Sequence, residues 1–178
     1  MALLAGASLL AGCAMSGPGD DAIMQSQPYR LDSGDRLRVI VFEQSNLSNI
    51  FTVDNAGNLV MPLVGDVPAR GKTTGELEGE IATRLRNGYV RDPDVAVEVD
   101  RYRPFFILGE VENAGQYPYV SGMTVREAAA IAGGFTPRAR KWTVQVSRRV
   151  NGKITHQWLS LDDPVRPGDT ISVKERLL

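Results

Sequence analysis

Hydrophobic and polar positions change rhythm several times along the chain. From Ala2 to Gly12 the residues are apolar or small with no amphipathic period, and from Ala14 to Pro28 they are polar and interrupted by Gly and Pro, as in a tether. Strand-like alternation then begins. Leu37, Val39 and Val41 are set against Arg36, Arg38 and Ile40, which predicts a strand with one mainly buried face behind the turn Leu31-Asp32-Ser33-Gly34-Asp35. Phe51-Thr52-Val53 and Leu59 to Val64 predict two strands joined by a loop at Asp54 to Asn58. Pro62 has no N–H to give to a ladder and so marks the second as an edge or bulged strand. Thr73-Thr74-Gly75-Glu76 has the spacing of a capping box, in which hydroxyl and carboxylate each satisfy a free amide of the first helical turn. Leu77, Ile81 and Leu85, with Ala82, then form one face of a helix that ends near Asn87-Gly88. After Asp92-Pro93-Asp94, Val95, Val97 and Val99 predict a further strand.

The pattern restarts near Phe105. Phe105 to Val111 is strand-like, Asn113-Ala114-Gly115 is a turn, and Tyr117 to Val120 follows. A second capping box, Thr124-Val125-Arg126-Glu127, opens an Ala-rich helix closed by Gly133-Gly134. Strands are predicted at Val144 to Val150 and Ile154 to Leu159 around the hairpin dipeptide Asn151-Gly152, with a last one at Ile171-Ser172-Val173. The two halves echo each other: Gly34-Asp35 and Gly168-Asp169 each feed a strand with apolar residues at the second and fourth positions after Asp. The expected class is α+β, two small modules, each a mixed sheet with one main helix.

Composition narrows the function. The 178 residues carry 20 Lys+Arg against 21 Asp+Glu, without the basic excess that phosphate neutralisation in nucleic-acid binding requires. A single Cys excludes an internal disulfide framework and a Cys-based zinc site, and a single His leaves no histidine pair; no metal and no cofactor is expected.

That cysteine has a particular setting. The apolar run before it is too short to span a bilayer but has signal-peptide length, and Leu10-Ala11-Gly12-Cys13 resembles the lipobox of bacterial lipoproteins. The resemblance implies that residues 1–12 are a signal peptide, that Cys13 is the lipidated first residue of the mature chain, and that residues 13–28 tether it to a membrane. No Lys or Arg precedes the apolar run, a departure that points to a start upstream of Met1. Ala14 after the Cys favours the outer membrane.

No catalytic constellation stands out. His156 shares a strand face with Trp158 and reads as a hydrogen-bonded structural residue, and the carboxylates of Asp92, Asp94, Asp162 and Asp163 lie beside prolines, as solvated turn acids do. Arg138, Arg140, Lys141, Arg148 and Arg149 concentrate positive charge that reads first as a solvated face, though an acidic polymer would be attracted to it. Trp142, Trp158, Phe105, Phe106 and Phe135 are expected in the core, with sugar stacking as the competing role. Gly133-Gly134 lacks the surrounding pattern of a phosphate loop.

Several motifs in order carry a family resemblance. Tyr29 to Asp35, Val53 to Gly65 and Arg91 to Val97 resemble the polysaccharide export domain of outer-membrane polysaccharide exporters. Phe106 to Val111, Gly115-Gln116-Tyr117, Thr124 to Ala128 and Ala132 to Thr136 resemble the soluble-ligand-binding β-grasp (SLBB) domain that follows it. The implied division is 29–101 for the export domain and 102–178 for the β-grasp domain. The resemblance further implies a non-enzymatic outer-membrane lipoprotein that assembles into a homo-oligomeric ring. The ring would export a capsular or exopolysaccharide and dock on an inner-membrane polysaccharide co-polymerase or tyrosine kinase. Large members end in an amphipathic pore helix, and the ending Val173 to Leu178 leads to the expectation that another protein completes the pore. The alternative is a periplasmic lipoprotein binding a small soluble ligand through its β-grasp domain; a carbohydrate-cleaving lipoprotein is a third class.

Overall fold

The computed structural model describes residues 28–150 and 152–176; the proposed signal peptide, Cys13 and tether lie outside the described residues, as does Asn151 of the hairpin dipeptide. The first module is built on β1 (Arg36–Val41), which pairs antiparallel with β2 (Asn49–Thr52) on one side and β5 (Val95–Arg101) on the other. A separate antiparallel hairpin joins β3 (Asn58–Met61) to β4 (Gly65–Pro68). Helix α1 (Thr74–Arg86) turns Leu77, Ile81 and Leu85 into a core shared with Leu37, Val39, Val41, Leu59 and Val67. Its capping box is formed in full: the Glu76 N–H donates to Thr73 Oγ1 at 3.2 Å and the Thr73 N–H to Glu76 Oε2 at 2.8 Å.

The segments on either side of Asp54 to Asn58 are the two strands expected, and they belong to different ladders: β2 to the β1 sheet and β3 to the hairpin with β4. The extent of the second strand needs correction. Pro62 lies beyond the end of β3, in the turn to β4, where a missing N–H costs no ladder bond. The short β4 escaped the sequence pattern because Gly65-Asp66-Val67-Pro68 buries only Val67.

The second module is a five-stranded sheet in the order β7-β6-β10-β8-β9, made of β6 (Phe105–Gly109), β7 (Gly115–Tyr117), β8 (Thr143–Val150), β9 (Lys153–Ser160) and β10 (Thr170–Val173). The first and second strands form one edge, the third and fourth the other, and the last enters the middle parallel to β6 and antiparallel to β8. This is the β-grasp arrangement. Helix α2 (Val125–Ile131) covers one sheet face, its Val125, Ala128 and Ala129 packing with Phe105, Ile107, Val144, Val146 and Ile171. Small Ala side chains let so short a helix lie close to the strands, and its Thr124–Glu127 box satisfies the first turn. Both modules are α+β; the parallel pairing occurs in the second. Among the described residues no helix is long and apolar enough to cross a membrane.

Candidate functional site

The repeated Gly-Asp turn places a buried carboxylate at the start of β1 and of β10, and Asp35 and Asp169 are the buried charged residues of the described chain. The two turns have the same wiring. The N–H three residues upstream donates to the carboxylate (Asp32 N to Asp35 Oδ2, 2.9 Å; Arg166 N to Asp169 Oδ2, 2.8 Å), and the Asp N–H returns to the carbonyl of that same residue. Gly34 and Gly168 sit at φ +92° and +81°, a left-handed conformation that strains any residue with a Cβ. A buried carboxylate also needs a cation. Asp169 receives a two-pronged grip from Arg148, Nε at 2.8 Å and Nη2 at 2.6 Å. Asp35 is held by Arg103, whose N–H and Nη1 donate at 3.0 and 3.2 Å, and by the Tyr29 hydroxyl at 2.6 Å.

Arg103 thereby joins the modules. It follows β5 in the connection to β6, donates to the Tyr29 hydroxyl at 2.7 Å, and lies so close over Gly168 that a Cβ there would sit 2.5 Å from its Nε. Tyr102 beside it makes edge-on ring contacts with Tyr29 in the first module (4.9 Å) and Tyr119 in the second (5.4 Å). Burial, then the negative charge of Asp35, pushes the Tyr29 hydroxyl far above its ordinary pKa, so it stays a donor. Burial of Asp32 acts to raise its carboxyl. The Ser33 N–H and Arg70, with the charge of Arg103, outweigh that and hold it below the usual carboxylate range. The sequence pattern did not single out Arg103 or Tyr102: their only local signal is an Arg before Pro104 between two strands.

At this junction lies a cleft of about 210 Å³, lined on one side by Asp32, Ser33 and Arg103 and on the other by Ser147, Arg149, Ile154 and Thr170. Pockets that enclose a small ligand usually run from about 300 Å³ upward. The cleft lies below that range.

The cationic residues noted in the sequence are not one solvated face. Arg148 is half-buried, its side chain 12% exposed and turned in to Asp169, and Arg138 pairs with Glu110 and Glu175. A hydrogen bond from Thr136, together with Arg138, holds the Glu110 carboxyl below its usual range. Arg140 lies over the Trp158 indole, 5.3 Å from its centroid, and Arg149 has no carboxylate partner among the described residues. The expectation that the aromatics are core residues holds for Phe105, which is fully buried, and in part for Phe135, which packs against the same core. Phe135 is half-buried, while Trp142 (79%), Trp158 (54%) and Phe106 (43%) face solvent. Trp158 and Phe106 stand on the sheet face opposite α2, where among the described residues no element packs over them and only the Arg140 side chain lies over the indole, and Trp142 precedes β8.

Other candidate groups are dispersed. His156 Nδ1 is 2.9 Å from Ser147 Oγ on the same open face, in keeping with a hydrogen-bonded structural histidine. Asp162 is exposed and paired with Arg126, the Asp163 carboxylate accepts from the Ser160 N–H at 2.6 Å, and Asp92 and Asp94 are exposed. Among the described residues no three His, Cys, Asp or Glu groups converge as metal ligands do.

Residues 24–100 match the family described as polysaccharide biosynthesis/export protein, and residues 104–157 match the SLBB domain. The chain is 39% identical over 140 residues to the exopolysaccharide production protein ExoF of Rhizobium meliloti, covering 72% of this chain and 32% of the relative. It is 29% identical over 142 residues to the EPS I polysaccharide export outer membrane protein EpsA of Ralstonia solanacearum, covering 65% and 37%. It is also 25% identical over 125 residues to the polysialic acid transport protein KpsD of Escherichia coli, covering 69% and 22%. The matched region thus spans about a third of the first two relatives and less of the third. The first match takes in the core around α1, the second runs from β6 into β9 and stops short of β10, and Arg103 lies between them. By both matches, in this order, the chain belongs to the polysaccharide biosynthesis/export family and carries an SLBB domain.

Proposed function

We propose that this chain is a subunit of a conduit that moves a capsular or exopolysaccharide across the outer membrane without covalent chemistry. Cys13 carries a lipid anchor on the periplasmic face and residues 13–28 act as tether. The export domain (29–101) faces an inner-membrane polysaccharide co-polymerase or tyrosine kinase, and the β-grasp domain (102–178) faces the outer membrane. Copies pack side by side into a ring, with interfaces on the order of 2,000 Å² or more, as stable homo-oligomers require.

The observation that carries this reading is the pair of family matches on two cores locked together by Arg103 and the Tyr29–Tyr102–Tyr119 contacts. A subunit that lines a continuous path needs such a fixed angle between its modules, whereas a binding module on a flexible linker does not.

Deleting the gene and measuring secreted and surface polysaccharide tests the proposal. Loss of polymer, restored by wild type but not by Cys13→Ser, is the expected result. Unchanged polymer in the deletion strain overturns the export role, and full rescue by Cys13→Ser overturns the anchor.

A further inference from the structure

The open face of the β-grasp sheet has a distinct layout. Strand alternation puts Phe106 and Leu108 of β6 on this face at one side, 43% and 45% exposed, and Ile154 and Trp158 of β9 at the other, 62% and 54% exposed, with the His156 imidazole between them turned to Ser147 of β8. Between these apolar rails run β10 and β8, which present Thr170, Ser172, Gln145 and Ser147 on the same face. Two intervening strands at the usual sheet spacing make a band about 10 Å wide of hydroxyl and amide groups. A protein partner's apolar core fits poorly on polar rows that split the hydrophobic surface in two. A glycan has the opposite needs, with ring C–H faces for aromatic and aliphatic rails and hydroxyl edges for a polar floor.

Charge decides what kind of glycan. Arg103 and Arg148 are matched by Asp35 and Asp169, and the Asp32 carboxylate that also lines the cleft is matched by Arg70, but Arg149 is exposed, opposes Ile154 in register, lines the junction cleft and has no carboxylate partner among the described residues. At the other end of the β9 rail Arg140 stands over the Trp158 ring. Four residues of extended strand separate Trp158 from Ile154, roughly 13 Å, a run of a few pyranose rings. The two cations thus bracket a path that begins at an indole and ends in a cleft.

We propose that this face, from Trp158 along β8 and β9 into the junction cleft, is a binding track for an acidic polysaccharide. Trp158 stacks on a sugar ring through the face of the indole that Arg140 does not cover, the β8 and β10 side chains bond its hydroxyls, and Arg149 takes a carboxylate. The inference deepens the export reading by naming the substrate class as acidic, and the two fail separately. Unchanged polymer in the deletion strain sinks the export role, whereas failure of the purified protein to bind an acidic glycan sinks the track alone.

The test uses the full chain with an oligogalacturonate hexamer and the neutral maltohexaose, read by calorimetry and by tryptophan fluorescence, since the chain has 2 Trp. The expected result is saturable binding of the oligogalacturonate that weakens with salt and exceeds that of maltohexaose. Trp158→Ala weakens it about tenfold, in the range aromatic stacking contributes to binding a planar ring. Arg149→Gln weakens the acidic probe alone by a similar factor, and Trp142→Phe leaves binding and the fluorescence response in place. Circular dichroism and light scattering confirm that each variant is folded and keeps the wild-type oligomeric state. No saturable binding at millimolar probe, equal binding of both probes, or insensitivity to Trp158→Ala and Arg149→Gln overturns the proposal. A change of oligomeric state in Trp158→Ala also overturns it, because the face would then be an interface between copies.

Discussion

Replacing Asp169 by alanine removes a carboxylate that is 1% exposed and leaves the Arg148 guanidinium, 12% exposed, facing a void in the second module. Three hydrogen bonds are lost, two from Arg148 at 2.8 and 2.6 Å and one from the Arg166 N–H at 2.8 Å. Stranding one member of a buried ion pair costs about 3–5 kcal/mol, a large share of the roughly 5–15 kcal/mol that holds a typical domain folded. At about 2–4 °C per kcal/mol for a chain of this size, the melting temperature should fall by about 6–20 °C. Urea unfolding followed by fluorescence reports this directly, because Trp142 and Trp158 both belong to the affected module. Two comparisons isolate the cause. Asp162→Ala breaks an exposed pair with Arg126, side chains 81% and 60% exposed, and should cost less than about 1 kcal/mol. Asp169→Leu combined with Arg148→Met strands no charge and should recover most of the loss. A cost below about 1 kcal/mol for Asp169→Ala, or a double variant no better than the single one, would refute the reasoning.

The module junction and its tyrosines give two further expectations. Gly168→Ala combines a φ of +81° with a Cβ 2.5 Å from Arg103 Nε, so it should displace the guanidinium, cost about 2 kcal/mol or more, and increase protease cleavage between the modules; wild-type proteolysis would contradict this. Tyr29, by burial and then the Asp35 charge, and Tyr119, by burial, have hydroxyls raised above the ordinary value of 10.0. A group raised in the folded state contributes stability that is complete below the unfolded pKa and lost as pH climbs past it. The protein should therefore weaken above about pH 10, and an ultraviolet phenolate titration should show Tyr29 ionising only as the fold opens and Tyr119 ionising later than an exposed tyrosine.

Local chemistry alone determined much of this protein. The Leu37–Val39–Val41 alternation, the two Thr-x-x-Glu boxes and the Gly-Asp turns act within a few residues of chain, and each appears in the structure where the pattern placed it. Strand partners were another matter. β2 and β3 are neighbours in sequence yet belong to different sheets, because pairing is decided by which ladder buries Phe51 and Leu59 in the common core, not by loop length.

The site belongs almost wholly to tertiary structure. Arg148 and Arg149 are adjacent and chemically identical, but the pleat sends one to the buried Asp169, 21 residues away, and the other to the open cleft. Arg103 reaches Asp35 across 68 residues, a distance no local pattern encodes. Trp158 and Phe106 have the hydrophobicity of core residues, and only the position of α2, which covers one face of the sheet and not the other, leaves them exposed. Sequence sets which way each side chain points relative to its neighbours along the chain. What lies in that direction depends on how the sheets are ordered, and that order settles which charges are matched, which aromatics are bare and where the cleft opens.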